Sequence, residues 1–438
     1  MKKTLALLLA LVMVFALAAC SSDSGDADTT PSDDTVTTSP DNTTPDDTTE
    51  PDDEPTVELT GDPIKIGHIV DLTGVEAMTG QEAEAALEFA VKLIEANGGI
   101  GGHPIEIIPA DSQSSASVAA DQARKLIESD NVLCILGPTQ AGHKGSVAGV
   151  VAELGVPAIY YNATPFGMAK GNEYVISSGG GTSQLPTVMA DYAYNEMGWR
   201  TVYTITQDNT GGQNYMNPFI ENFTALGGTV VQDMWVPAGV SDFTSYLASM
   251  TADVDGLVAW FSGSDAMLLW QTWYNMGLDK TLPIIGSMHG GFTDYFILES
   301  LAETDPAIVD AILETAIVPI AYNYAADNEE NAAFVEAWTE EFGTIPGATN
   351  LPGATYGALY LVKTAYEAIE GDVTSEALYE QLQVADVHVP EGHLKFNEGV
   401  RLATKDIYVV KPVELDSGYN YEILKTYTDV GPNGLTVG

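Results

Sequence analysis

The 438-residue sequence has few basic residues and almost no cysteine. It contains 16 Lys and Arg against 62 Asp and Glu, which gives a formal charge of -46, and two cysteines. A nucleic-acid partner is excluded, because phosphates are neutralised by clustered Lys and Arg, and only three Arg are present. Cys134 lies in an apolar run and has no partner for an internal disulfide, so we expect a buried, inert thiol.

The sequence also lacks the short motifs of common catalytic sites. There is no HExxH, CxxC, P-loop or GxSxG pattern, so nothing supports metal catalysis, phosphoryl transfer or a serine nucleophile. The glycines at 179–181 have no lysine after them, which favours a hinge or loop over a phosphate site. We therefore expect no cofactor and no bound metal, and a binding protein rather than an enzyme.

The N-terminus has the order of a secretory signal. Two lysines precede an apolar stretch over 5–19, which is shorter than the ~20 residues of a membrane-spanning helix. Its ending Leu17-Ala18-Ala19-Cys20 resembles the lipobox of bacterial lipoproteins, in which the cysteine is acylated and becomes the new N-terminus. We expect 1–20 to be a lipoprotein signal peptide and Cys20 to anchor the protein in the membrane. The alternative is an ordinary signal peptide with a chance cysteine.

Residues 21–62 are composed almost entirely of Ser, Thr, Asp, Pro and Glu. Such a segment has too little apolar area to fold, so it predicts a disordered acidic tether, which suits a Gram-positive-type cell surface. Without this segment's 13 acids up to residue 60 and the two signal lysines, 49 acidic and 14 basic residues remain. That balance suggests a salty or cation-rich exterior.

The remaining chain, roughly 375 residues, is long enough for two lobes. Ile64–Val70 is typical of a strand, and Gly80–Asn97 has apolar residues at helical spacing. The alternation predicts an α/β fold with mostly parallel sheets and right-handed crossovers. The other predicted strands are 105–109, 132–136, 158–161, 201–205, 228–235, 256–260, 283–285, 316–320, 392–396, 407–413 and 421–427, and the other helices are 115–128, 143–154, 186–197, 213–226, 244–250, 265–276, 329–342 and 353–369.

Six short segments occur in an informative order, namely Asp71–Gln81, Ile94–His103, Asp111–Gln113, Leu136–Pro138, Val156–Ile159 and Asn162–Thr164. Together they resemble type I periplasmic binding proteins of the branched-chain amino acid group, and the resemblance covers about 63–438. It implies an α/β fold of two doubly wound, mostly parallel-sheet lobes joined by a three-crossover hinge. It also implies a small-molecule ligand trapped by their closure, and an ABC transporter permease as partner of a monomer. Lobe 1 is expected at 63–183 and 318–385, and lobe 2 at 184–317 and 386–438.

Ligands of open parallel sheets bind beyond the carboxyl ends of the strands. Three loops of the first lobe are expected there, at Thr73–Gly80, Gly137–His143 and Asn162–Pro165. In the resembling family the second loop usually offers a serine to the ligand carboxylate, but here Ala141 occupies that position, so backbone N–H groups would replace it. Thr164 matches the family, although a helix cap is its alternative role. The candidate contacts are Met78, Thr79, Thr139, Gln140, Ala141, Gly142, Asn162, Ala163 and Thr164.

The second lobe departs further from the family pattern. Gly211 stands where a tyrosine is common, and Ser287-Met288-His289 lacks the usual Glu. Phe261 and Met288 end strands, so they predict an apolar wall, whereas Trp270, Trp273 and Tyr274 have the spacing of helix-face core. Asp265 is a candidate for a cationic ligand group or, equally, an N-cap. The candidate contacts are Gly211, Phe261, Ser264, Asp265, Met288 and His289.

Two function classes remain open. The first is an extracytoplasmic solute-binding protein that delivers an amino acid-like compound, an amide or an aromatic or hydrophobic carboxylate to an ABC importer. The alternative is a ligand-sensing lipoprotein of the same fold that acts on a receptor or envelope enzyme, and gene neighbours would separate the two. Lys144 is the one basic residue near the candidate loops, so we expect a neutral or zwitterionic ligand rather than a polyanion.

Overall fold

The computed structural model describes residues 58–74, 76–261, 263–287, 295–347, 351–397, 399–416 and 418–435. The predictions for the signal peptide, for Cys20, for most of the tether and for Met288 and His289 lie outside these ranges. Within them, no helix combines the length and the apolar character needed to cross a bilayer.

The first sheet has five parallel strands in the order β2-β1-β3-β4-β5. Its strands are apolar and largely buried because helices cover both faces. The order reverses between β1 and β3, and this switch point opens a crevice at the carboxyl edge. The strands are β1 (Ile64–Val70), β2 (Ile105–Asp111), β3 (Cys134–Leu136), β4 (Ala158–Tyr160) and β5 (Val175–Ser177), and the helices are α1 (Ala77–Ala96), α2 (Ala116–Glu128), α3 (Lys144–Leu154) and α4 (Phe166–Gly171).

The second sheet has four parallel strands in the order β7-β6-β8-β9, with its own switch point between β6 and β8. Its strands are β6 (Thr201–Gln207), β7 (Thr229–Val236), β8 (Gly256–Trp260) and β9 (Ile284–Ser287). The helices of this part are α5 (Gln184–Asp191, continued by a wider turn over Tyr192–Glu196), α6 (Thr210–Ala225), α7 (Thr244–Ala248), α8 (Gly263–Asn275), α9 (Tyr295–Thr304) and α10 (Pro306–Thr315).

The C-terminal part supplies two antiparallel sheets and three helices. The larger sheet has the order β10-β13-β14, and β11 pairs with β12 in a short hairpin. The elements are β10 (Val318–Ile320), α11 (Glu329–Phe342), α12 (Leu351–Glu367), α13 (Ser375–Leu382), β11 (Asp386–Val389), β12 (Gly392–Lys395), β13 (Lys405–Leu415) and β14 (Gly418–Val430). With the two parallel sheets, this architecture confirms the predicted α/β fold class.

Some C-terminal segments pack against the hydrophobic core around the first sheet, and others pack against the core around the second sheet. Leu394 and Phe396 pack with the core of the first sheet, although the sequence analysis placed 386–438 in the second lobe. Conversely, Val318 and Ile320 pack with the core of the second sheet, although 318–385 was expected in the first lobe. The physical reason is pairing: β10 bonds to β13, whereas the β11–β12 hairpin packs against α12. The division into two closing lobes stays a prediction.

Two core predictions are confirmed. Cys134 is fully buried in β3, and burial raises the pKa of its thiol, which leaves it protonated and unreactive. Trp270 and Trp273 are also fully buried on α8, with their rings edge to face at a centroid distance of 5.1 Å.

Candidate functional site

The loop after β1 is held in shape by Asp111 at the end of β2. Its Oδ1 accepts hydrogen bonds from the backbone N–H groups of Leu72 and Thr73, and its Oδ2 accepts one from the Thr73 hydroxyl at 2.6 Å. Partial burial opposes the charge of this carboxyl, but the bonds from Thr73 and neighbouring backbone groups hold its pKa below the usual value. Asp111 therefore positions the first candidate loop. Thr79 follows in the first turn of α1, half-buried, and Met78 lies beside it in the sequence.

The loop after β3 ends in an uncapped helix start. Gly137 has φ +83°, and a Cβ there would lie 2.3 Å from the Ile69 carbonyl oxygen, so this turn requires glycine. A 3₁₀ turn over Ala141–His143 then runs into α3, and no side chain caps it. Ala141 and Gly142 are exposed. The turn thus presents backbone N–H groups at the positive end of a helix, where a carboxylate is stabilised.

A chain of buried polar groups fixes Thr139 in the same loop. Its Oγ1 lies 3.0 Å from the Tyr161 hydroxyl, which lies 2.9 Å from His68 Nε2. His68 Nδ1 in turn bonds to Glu84 on α1. This series of hydrogen bonds was not predicted from the sequence, where the one sign of it is a histidine inside the apolar strand β1. Because Thr139 is held from the interior, its backbone and the neighbouring half-exposed Gln140 keep a defined position at the edge.

Lys144 binds the third candidate loop from inside the lobe. Its Nζ donates to the carbonyl oxygens of Asn162 at 2.7 Å and Ala163 at 2.8 Å, and to Thr164 Oγ1 at 3.2 Å. Lys144 is fully buried, and this burial lowers the pKa of its ammonium to about 7. The sequence showed a lysine near the loops but gave no sign that it is buried.

Thr164 takes a position different from either expected one. It is fully buried, and besides Lys144 its hydroxyl accepts a bond from Ser177 at 2.9 Å. It does not cap α4, whose N-cap position is Pro165. The cause is a backbone bond from Thr164 N to Gly180 O, which draws the residue into the crossover after β5. Its side chain is buried, whereas Ala141 and Gly142 are exposed at the same edge of the sheet. Asn162 remains close, donating to Thr139 O at 3.0 Å.

At the second sheet, Asp265 joins three loops. Its Oδ2 accepts from Gln207 Nε2 and from the Gly239 backbone N–H, both at 2.8 Å, and Gln207 Oε1 accepts from Asn209 at 2.8 Å. Asp265 is buried in the first turn of α8 and is not its N-cap, while Ser264 beside it is exposed. This carboxylate therefore organises the edge of the second sheet, which neither of its two predicted roles anticipated.

Phe261 is not part of an apolar ligand wall in this structure. It is fully buried, with its ring edge to face against Phe243 at a centroid distance of 5.1 Å. Trp260 is the aromatic residue next to α6: a Cβ on Gly211 would lie 2.4 Å from its Cη2 atom. The indole therefore occupies the space of the missing side chain at 211.

The structure brings the first-lobe candidates together and separates some of the second-lobe ones. Thr139 and Asn162 are hydrogen-bonded to each other, Ala163 accepts from Lys144, and the residues that follow Thr139 in the same loop are Gln140, Ala141 and Gly142. Gly211, Ser264 and Asp265 lie at the corresponding edge of the second sheet, and Phe261 lies in its core.

A family model and a named relative match this sequence over most of its length. The sequence model of the family described as periplasmic binding protein matches residues 63–418. The "Leu/Ile/Val-binding protein homolog 6" of Brucella melitensis is 23% identical over 380 residues, which are 85% of this chain and 94% of that protein.

Two solved structures have the same fold. An ABC transporter substrate-binding protein from Sphaerobacter thermophilus is 28% identical, with a TM-score of 0.74 over 84% of this chain and 99% of that one. A solute-binding protein of an ABC transporter from Rhodopseudomonas palustris BisB5, in complex with 3,4-dihydroxy benzoic acid, is 25% identical, with a TM-score of 0.72 over 84% of this chain and 98% of that one.

Proposed function

Because this chain belongs to the periplasmic binding protein family, a family of extracytoplasmic solute receptors, we propose that it captures a small solute between two closing lobes and delivers it to an ABC importer. One observation carries the proposal: polar loops gather at the carboxyl edges of two separate parallel sheets, each at a switch point. A cleft between two such edges needs only a few convergent polar groups to select a ligand.

The lobes we propose follow the two cores. Residues 63–177 and 327–403 form the first lobe, and 184–320 and 405–435 form the second. Gln184 supports a hinge at these crossovers. Its Nε2 donates to the carbonyl oxygens of Ala403 at 3.1 Å and Val430 at 2.7 Å, and its Oε1 accepts from Gly181 N at 2.8 Å. One side chain thus joins two of the crossover segments to the end of β14.

The proposed ligand is a small amino acid-like compound, an amide or a hydrophobic or aromatic carboxylate. The uncapped turn at Ala141–Gly142 supports a carboxylate head group. One relative is named for Leu/Ile/Val and another was solved with a dihydroxybenzoate, so the relatives support both an amino acid and an aromatic acid as ligand. Next to the described loops at the first edge, the basic side chain is that of Lys144, which is buried against Asn162 and Ala163. A multiply charged anion would therefore lack partners.

Calorimetry with a panel of leucine, isoleucine, valine, benzoates and short aliphatic acids tests the ligand class. We expect a benzoate or hydrophobic acid to bind at micromolar concentration, roughly tenfold tighter than leucine, and a triphosphate not to bind. At a hundredfold excess over its Kd, the ligand should raise the free energy of unfolding by about 2.7 kcal/mol.

A matched pair of proline variants assigns the head group in the same experiment. Ala141→Pro removes one N–H at a helix start where proline is tolerated, and we expect about tenfold weaker carboxylate binding. Glu329→Pro makes the same change at the exposed start of α11 and should bind normally. Equal affinities of the two variants would place the head group elsewhere, and inertness of the whole panel would contradict the proposal.

Lipid anchoring at Cys20 is the second part of the proposal. When the full-length protein is expressed in a bacterium, we expect wild type to partition into the detergent phase and Cys20→Ser to move to the aqueous phase, because one residue carries the acyl chains. Cys134→Ser is the matched control, since its thiol is buried in the sheet. Membrane retention of Cys20→Ser as firm as that of wild type would show that the anchor lies elsewhere.

A further inference from the structure

A separate cavity of about 350 Å³ lies between elements of the two hydrophobic cores. Its walls come from α1 and α11 on one side and from α9 and β14 on the other. The first two helices pack with the first-sheet side of the molecule, whereas Leu298 and Leu301 of α9 and Tyr421 of β14 pack into the core of the second sheet. The volume is within the range of pockets that hold small molecules.

The cavity has an aromatic wall. Trp338 and Phe342 lie one turn apart on α11 with ring centroids 4.4 Å apart, and Phe89 packs beneath both, at 5.1 and 5.5 Å. Phe342 is 46% exposed, which is unusual for a phenylalanine with two aromatic neighbours. Tyr419 adds a third ring to the lining from β14. Such faces carry the negative charge of the π-system.

The charged side chains among the described lining residues are acidic. Glu82 enters from α1 and Glu299 from α9, and the described lining includes no Lys, Arg or His. Burial together with the charges of Glu414, Asp310 and Glu299 raises the pKa of Tyr419, which indicates a negative potential at this wall. Anions are disfavoured in such a cavity, and a cation gains both from the carboxylates and from the ring faces.

The floor of the cavity is fixed in position. Asn420 is buried, its Nδ2 donates to Pro346 O at 3.0 Å, and its Oδ1 accepts from Tyr421 N. This bond joins the β13–β14 hairpin to the loop after α11. The cavity is therefore formed by ordered elements and not by exposed loop ends alone.

We propose that this cavity is a second ligand site, which binds a small organic cation such as a quaternary ammonium compound. Aromatic faces with nearby carboxylates recognise this chemistry, because a quaternary ammonium makes no hydrogen bonds and is weakly hydrated. Its described lining shares no residue with the candidate contacts of the solute site, so this inference goes beyond the proposed function. A cation bound here contacts elements of both cores.

The test is calorimetry of the purified full-length protein with choline and with 3,3-dimethyl-1-butanol, its uncharged isostere, at constant ionic strength. We expect choline to bind in the millimolar range or tighter and the alcohol about tenfold more weakly. Glu299→Gln should weaken choline binding about fivefold or more. Glu303→Gln removes an equal charge from the exposed end of the same helix, outside the lining, and should leave it unchanged.

Each other outcome overturns the proposal. Equal affinity for choline and the alcohol would reduce the cavity to a non-specific apolar pocket, and absence of choline binding would leave it without a cationic ligand. Choline binding that survives both Glu299→Gln and Phe342→Ala, with their thermal stability unchanged, would place the cation in the cleft. Because the solute test uses acids and Ala141→Pro, failure of one proposal is distinguishable from failure of the other.

Discussion

Replacement of Lys405 by methionine is expected to lower the free energy of unfolding by about 3 to 5 kcal/mol. Lys405 Nζ donates to Glu391 Oε1 at 2.7 Å, and both side chains are 1% exposed. Burial raises the pKa of Glu391 above its usual value, although the ammonium of Lys405 opposes this. Without the lysine, the carboxyl group would be buried without its cationic partner, which is costly whether it stays charged or takes up a proton.

Urea denaturation of three variants checks this expectation. Lys405→Met combined with Glu391→Leu removes both charges and should recover most of the lost stability, since an apolar pair can replace a buried ion pair. Lys411→Met breaks an exposed pair with Glu422 and should change stability by less than about 1 kcal/mol. A Lys405→Met protein as stable as Lys411→Met would show that the buried pair contributes nothing.

The second large effect is a dependence of stability on pH that comes from Lys144. Its folded-state pKa of about 7 lies below the ordinary value of 10.5. Between these values the unfolded chain binds a proton that the folded protein has released, so the free energy of unfolding rises with pH. The contribution approaches about 1.4 kcal/mol per pH unit well above pH 7, and it is about 2 kcal/mol from pH 7 to 9 because the folded-state group is half deprotonated at pH 7. Below pH 7 both states are protonated and the slope vanishes.

Comparison of Lys144→Met with wild type at pH 6, 7, 8 and 9 isolates this contribution. The stability difference between the two should change by about 2 kcal/mol across pH 7 to 9, in favour of wild type as pH rises. Lys125→Met, which removes an exposed lysine from α2, should follow wild type at a constant offset. Parallel curves for Lys144→Met and wild type would mean that the three oxygens around Nζ keep the ammonium charged.

The sequence was sufficient for the elements that form the sheets. β1 and β8 have their predicted bounds because each is a mainly apolar run between turn signals. The prediction missed α9 and α10, because residues 295–315 carry apolar residues on several faces and α10 begins directly after α9 at Pro306. It also missed β11, whose four residues are ordered by pairing with β12 rather than by their own pattern.

The predicted topology placed the candidate loops correctly at the sheet edges, but it could not predict which of their side chains are buried and which groups they contact. Every residue of β8 is buried, so the run gives no alternation that would distinguish Trp260 from Phe261. Lys144 and Thr164 meet only after α3 and the loop following β4 pack together, a contact across 20 positions that no local signal encodes. Backbone donors were easier to foresee, because a helix start exposes them whatever the side chain is.

The contact between Gly211 and Trp260 limits how this sequence can evolve. Any side chain at 211 would begin 2.4 Å from the indole, so a substitution there is blocked while Trp260 is present. Loss of the indole alone leaves a void beside α6 in a nearly buried position. A tyrosine at 211 therefore fits only in a sequence that already has a smaller residue at 260. The intermediate sequence, with glycine at 211 and a small residue at 260, is destabilised by the cavity.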